Sequence, residues 1–143
     1  MLRELDDKSG QAYVLSELGV IAGLTGNPDR AASLLRDGLR RAHDLHAQAL
    51  SAKCLEGLAA LSLQQDLLPH AASLFAAADG LRKEIGAPVE PFEREGREEQ
   101  VRAVQAGLNP AAFAQAWHLG QTMTAQEVVD FALEEAEAAV QVR

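Results

Sequence analysis

The residues that build disulfides, sheets and membrane anchors are scarce in this chain of 143 residues. There is one cysteine, Cys54, so no intrachain disulfide and no multi-cysteine metal framework can form. Such a chain suits a reducing compartment, and the expected location is cytoplasmic. Valine, isoleucine and threonine number 9, 2 and 3, too few to favour a sheet. No stretch approaches the roughly 18 uncharged apolar residues of a membrane span. The opening Met1-Leu2-Arg3-Glu4-Leu5-Asp6-Asp7 lacks the apolar segment of a secretory signal. Basic residues are in deficit, 13 Lys+Arg against 21 Asp+Glu for a net charge of −8, which opposes nucleic acid and anionic membrane. Neither is expected as a direct partner.

What the chain has in quantity is alanine, 27 residues, and leucine, 21. Both are strong helix formers, and the length suits one ordinary domain. A single all-α domain over 1–143 follows. The helix ends are marked. In Gly26-Asn27-Pro28-Asp29 a glycine closes one helix, Asn27 caps the next and Pro28 occupies its first turn. Asn109-Pro110 repeats the start signal, and Thr124-Ala125-Gln126-Glu127 has the form of a capping box. Gly86-Ala87-Pro88-Val89-Glu90-Pro91 is a connector. These marks predict helices over 9–25, 28–47, 49–65, 69–85, 91–107, 110–120 and 125–140.

The first four helices form two related pairs, 9–47 and 49–85. Arg30-Ala31-Ala32-Ser33-Leu34-Leu35 matches His70-Ala71-Ala72-Ser73-Leu74-Phe75 at an offset of 40 residues. The same offset places Leu15 on Leu55, Leu18 on Leu58 and Gly19 on Ala59. A self-similar helix pair at this spacing is the pattern of an α-solenoid, because one pair cannot bury both of its faces. Small residues are expected at the crossings, Gly19 against Ala31 and Ala59 against Ala71. Leu15, Leu18, Leu35, Leu55, Leu58 and Phe75 would fill the space beside them. The last three helices, 91–140, are expected to cap the stack with Phe92, Phe113, Trp117 and Phe131.

Leu18-Gly19, Gly26, Ala31, Leu35 and Gly38, followed by Leu58-Ala59, Asp66, Ala71, Phe75 and Ala78, resemble the tetratricopeptide repeat. The aromatic usual in the first helix is replaced by Ala22 and Ser62, and the period exceeds the family's standard length. A narrower resemblance spans Cys54 to Phe131. It is carried by Leu55-Glu56-Gly57-Leu58-Ala59-Ala60-Leu61, Ala71-Ala72-Ser73-Leu74-Phe75, Leu81-Arg82-Lys83-Glu84-Ile85-Gly86-Ala87-Pro88, Ala112-Phe113-Ala114-Gln115-Ala116-Trp117 and Gly120-Gln121-Thr122-Met123-Thr124. This series is similar to the C-terminal end of large bacterial multidomain transcriptional regulators. Those join a signal-transduction ATPase module to a tetratricopeptide-like array and often a helix-turn-helix output domain. The family more often carries acidic residues where this chain has Asn109-Pro110.

The resemblance implies a tetratricopeptide-like α-solenoid of two helix pairs with a three-helix C-terminal cap. It also implies a concave face lined by the first helix of each pair, bringing Tyr13, Ser16, Val20, Lys53, Glu56, Ala60 and Gln64 to a protein or peptide partner, or to other domains of the same regulator. Leu2-Arg3-Glu4-Leu5-Asp6 reads as the end of an earlier repeat. Upstream repeats, or a second copy forming a homodimer, are expected to pack at that N-terminal end.

No set of residues assembles into a catalytic mechanism. Phosphate loops, Gly-x-Ser-x-Gly and His-Glu-x-x-His are absent. His43 and His46 lack a third ligand, so they read as a surface pair near a helix end rather than a metal centre. Arg36, Arg40 and Arg41, with Arg30 before them, read as a solvated face paired with Asp37 and Asp44. Glu93, Glu95, Glu98 and Glu99 pair with Arg94 and Arg97 at the surface, and the acids from Glu127 to Glu137 read as an acidic end of the cap. Cys54 is expected to be a buried, inert thiol and Trp117 a packing residue. The expected function is a non-catalytic protein–protein interaction scaffold without cofactor or metal. The alternative is a sensor holding a small molecule between helices.

Overall fold

The turns set the architecture. A computed structural model describes the backbone of residues 2–142 and the side chains of residues 7–133. Seven helices follow one another among the described residues: α1 (Leu2–Leu24), α2 (Pro28–Asp44), α3 (Gln48–Gln64), α4 (Leu68–Ile85), α5 (Pro91–Gly107), α6 (Pro110–Thr122) and α7 (Ala125–Val142). The first four end alike. Backbone N–H groups of Asn27, Ala47, Leu67 and Ala87 donate to the carbonyls of Ala22, Ala42, Ser62 and Arg82, at 2.8–2.9 Å. The residue before each donor has a positive φ: Gly26 at 83°, His46 at 56°, Asp66 at 62° and Gly86 at 67°. This is one helix-terminating motif, its left-handed residue recurring every 20 residues and satisfying carbonyls that a helix end leaves open. Two of the four positions carry a side chain, so glycine alone does not reveal them.

The starts follow the expected chemistry. Asn109 Oδ1 accepts from the Ala112 N–H at 2.8 Å, and Asn27 Oδ1 from the Arg30 N–H at 3.4 Å. Thr124 and Glu127 exchange both bonds of a capping box, at 2.9 and 3.2 Å. Bonds from the Thr124 backbone and side chain hold the Glu127 carboxyl below its ordinary pKa. α1 departs from expectation: it is continuous from Leu2, so the opening residues extend it instead of closing an earlier helix. The side chains of Leu2 to Asp6, and those of the acidic run beyond Leu133, lie outside the described residues.

α1 packs on α2, α3 on α4, and α2 on α3, while α1 also runs beside α3. Leu35 on α2 is the wedge in this stack, 1% exposed. A Cβ at Gly19 on α1 would stand 2.6 Å from Leu35 Cγ, and one at Gly57 on α3 would stand 2.7 Å from Leu35 Cδ2. The crossing therefore differs from the expected pairing: Gly19 receives Leu35, and Ala31 faces Gly23, where a Cβ would be 3.8 Å away. Because α1 and α2 run antiparallel, the partner falls back one turn as the residue number advances by four. Ala59 and Ala71 are both fully buried in the main core.

Beyond α4 the pairing changes. α6 packs on α4, with Ser73 Oγ donating to the Ala116 carbonyl at 2.8 Å inside the core. α7 adds Val128, Val129 and Ala132 to the same cluster. Phe113, Trp117 and Phe131 pack on that core as expected; Phe113 and Trp117 stack at 5.5 Å, and Phe131 meets the His70 ring at 5.6 Å. Phe92 does not join them and is 82% exposed. α5 turns Arg97, Val101 and Val104 inward, and Phe92 lies about 140° around the helix from that line. Leu18, expected among the packing leucines, is 42% exposed on α1.

Candidate functional site

The seven residues expected on the concave face divide into two groups. Tyr13 and Lys53 come together: Lys53 Nζ lies 5.1 Å from the centre of the Tyr13 ring and 2.5 Å from Glu17 Oε1. Burial pulls the Lys53 pKa down, but Glu17 more than offsets this by hydrogen bond and charge, leaving it above the ordinary lysine value. Val20 and Gln64 are exposed and Ala60 is half-buried. Ser16 and Glu56 correct the expectation. Ser16 is fully buried and donates to the Tyr13 carbonyl at 2.6 Å. Glu56 is 7% exposed, because α4 and α5 close over it with two arginines.

That closure is the most structured polar feature of the fold. Arg82 on α4 grips Glu56 in bidentate fashion, Nε to Oε2 at 2.7 Å and Nη2 to Oε1 at 2.8 Å. Its third nitrogen, Nη1, donates to the Ala87 carbonyl at 3.1 Å, tying the α4–α5 connector to the cluster. Arg97 on α5 reaches the same Glu56 oxygen through Nη2 at 2.7 Å and lies 4.9 Å from the centre of the Phe75 ring. The hydrogen bonds to Glu56 raise the pKa of Arg82 against the cost of burial. Arg97 moves the other way: burial lowers it, Glu56 opposes that, and Arg82 adds to it as a like charge. One carboxylate serves two cations.

Beside this cluster α4 and α5 leave a cavity of about 320 Å³. Its walls include Phe75, Val101 and Trp117, with Arg97 and Arg102 among its charged groups. A second cavity, about 200 Å³, lies where α2, α3, α4, α6 and α7 meet, and is lined by Leu39, Leu55, Val129, His43, His46 and Glu84. His43 Nε2 is within 3.0 Å of Gln126 Oε1, which links α2 to α7, while His46 occupies the turn. Of the arginines on α2, Arg41 pairs with Asp37 at 3.3 Å and bonds Gln11 on α1 at 3.2 Å. Arg36 donates to its own helix at the Ala32 carbonyl, 3.3 Å.

Sequence reasoning missed the Arg82–Glu56–Arg97 cluster, although a signal existed. Glu56 is the one acid of α3, set in the apolar run Cys54-Leu55-Glu56-Gly57-Leu58. A single acid there is costly to bury unless paired, so cationic partners from elsewhere are implied.

Cys54, expected to be inert, is fully buried. Burial raises its thiol to a pKa of about 12 from an ordinary value near 9. The folded state thus retains a proton that the unfolded chain releases. The stability contributed by this group is complete below pH 9 and falls as pH rises toward 12. The slope from this one group is at most about 1.4 kcal/mol per pH unit. Urea titrations between pH 8 and 11 should show this loss, and Cys54→Ala should remove it; equal slopes in both proteins would contradict it.

Comparison of the chain with protein-family models, with curated proteins and with solved structures yields no match. Among the described residues no helix is long and apolar enough to cross a membrane, and no three His, Cys, Asp or Glu side chains group as metal ligands.

Proposed function

We propose that this chain is a non-catalytic protein–protein interaction module of the tetratricopeptide-like α-solenoid kind, acting in the cytoplasm as the C-terminal regulatory part of a bacterial multidomain transcriptional regulator. The 20-residue recurrence of the helix-ending motif supports the repeat reading. One observation carries the interaction reading. On α3, Cys54, Leu58 and Leu61 are at most 6% exposed beneath α2. A Cβ at Gly38 on α2 would stand 3.3 Å from Cys54 Sγ, and Leu61 clusters with Ala31 and Leu34. Forty residues earlier, Val14, Leu18 and Ile21 occupy the same register on α1 and are 53%, 42% and 53% exposed. The occupant fitting that stripe is a helix of the α2 type, with a small-residue and leucine ridge, from a further helical pair. Apolar stripes of this size on a rigid helix mark a docking face.

The test duplicates the unit in register, so that residues 1–47 are followed by residues 8–143. The inserted α2 then lies on the original α1 as α2 lies on α3. Glu17→Gly in the second copy makes room for the inserted Leu35, as Gly57 does. Covering three half-exposed side chains should add about 3 kcal/mol in a single cooperative transition. Lysine at Val14, Leu18 and Ile21 of the second copy should abolish that gain, while the same changes in the parent chain alter its melting little. An inserted unit that melts by itself, with no gain for the rest, would overturn the reading.

A further inference from the structure

The charge balance around the α4–α5 cavity is incomplete on one side. Its lining carries Glu56, Asp79 and Glu98 against Arg82, Arg97 and Arg102. Asp79, however, is also bound to Lys83 at 3.0 Å, one turn further along α4. Glu98 and Arg102 also line the cavity, four residues apart on α5, and together add no net charge. The buried end is left with two guanidiniums on one carboxylate. Glu90 and Glu93 act on these cations at longer range from exposed positions. Arg97 spends Nη2 on Glu56, and 17% of its side chain remains accessible, among the groups that line the cavity. The rest of the lining is mainly apolar: Phe75, Val101 and Trp117, with Val89 from the connector. A volume of about 320 Å³ suits a small molecule rather than a peptide.

We propose that this cavity binds a small monocarboxylate with an apolar body, its carboxylate on Arg97 and its body against Phe75, Val101 and Trp117. A guanidinium offers a carboxylate paired, charge-assisted hydrogen bonds. The Phe75 face below Arg97 keeps the guanidinium plane fixed, so little freedom is lost on binding. The added anion gives the two arginines the second negative charge that Glu56 alone does not supply. The site is independent of the α1 stripe, so it stands or falls apart from the interaction reading.

Trp117 is the one tryptophan of the chain and lines the cavity, so its fluorescence reports occupancy directly. Titration of the intact protein with butyrate, hexanoate, 1-hexanol, hexylamine and inorganic phosphate should give saturable change with hexanoate, weaker change with butyrate, and at least tenfold weaker binding of 1-hexanol. Hexylamine and phosphate should not compete with hexanoate. Arg97→Gln should weaken hexanoate at least tenfold. Val101→Phe, which fills the apolar wall and leaves the arginines in place, should weaken it comparably and serves if Arg97→Gln does not fold. Equal affinity for hexanol and hexanoate, competition by phosphate, undiminished binding in either folded variant, or no saturable signal with any carboxylate would each overturn the proposal.

Discussion

Glu56→Ala is expected to destabilise the chain by about 3–5 kcal/mol, since removing one member of a buried ion cluster leaves the other charges uncompensated. For a domain of this length the melting midpoint should fall by about 10 °C or more. The geometry explains the size of the effect. Glu56 bonds both arginines at 2.7–2.8 Å, and it is the joint at which α3, α4 and α5 meet. Without it, Arg82 and Arg97 face each other across a site already costly for cations. Glu56→Gln should fall short of rescue, because an amide keeps the shape but loses the charge and presents a donor to donors. Replacing Glu56, Arg82 and Arg97 together with methionine should recover much of the loss, since a dry apolar core of similar volume needs no charge pairing. Chemical denaturation of these variants separates the claims. A Glu56→Ala protein that melts with the parent would show that water already reaches the cluster.

Gly120→Ala is the second large effect expected, at about 3 kcal/mol or more. Alanine is normally the better helix residue by about 1 kcal/mol, so the substitution should stabilise α6 on propensity alone. Packing reverses the sign. A Cβ at Gly120 would run into the Ser73 carbonyl oxygen and stand 2.9 Å from its carbon and 2.8 Å from Ala76 Cβ. Two of these three atoms are backbone of α4, which cannot swing aside as a side-chain end does. α6 would have to lift from α4, loosening the Ser73–Ala116 hydrogen bond and the seat of Trp117. Gly96→Ala is the matched control: it lies within α5 with nothing within 4 Å of an added Cβ, and there the change should be neutral or stabilising. If thermal melts rank the two substitutions the other way, the close α4–α6 crossing is wrong.

Helix ends and contacts between helices differ in how far the amino-acid sequence alone reveals them. Gly26 and Gly86 are visible as helix ends, yet His46 and Asp66 adopt the same left-handed backbone with ordinary side chains. The recurrence at 20 residues emerges only when all four turns are seen together. Gly19 is legible as a contact point, but Leu35, not Ala31, fills it. Spacing along one helix reveals a face, whereas the register between two helices depends on how their ridges settle. In the candidate site, Tyr13 and Lys53 stand together, whereas Ser16 and Glu56 turn inward. Glu56, on the first helix of its pair, is closed off by Arg82 and Arg97 from the two helices that follow.

Local chemistry along the chain determined the all-helical class, the seven helices and most of their ends, because capping and propensity act within a few residues. Tertiary packing decided the partner of each small residue, the burial of Glu56 between Arg82 and Arg97, and the exposure of Val14, Leu18 and Ile21. Those outcomes depend on residues of different helices, from 8 positions apart for Gly23 and Ala31 to 47 for Ser73 and Gly120, brought together by the angles at which helices cross. A carboxylate in an apolar run announces that it needs a cation; the fold alone selects Arg82 and Arg97.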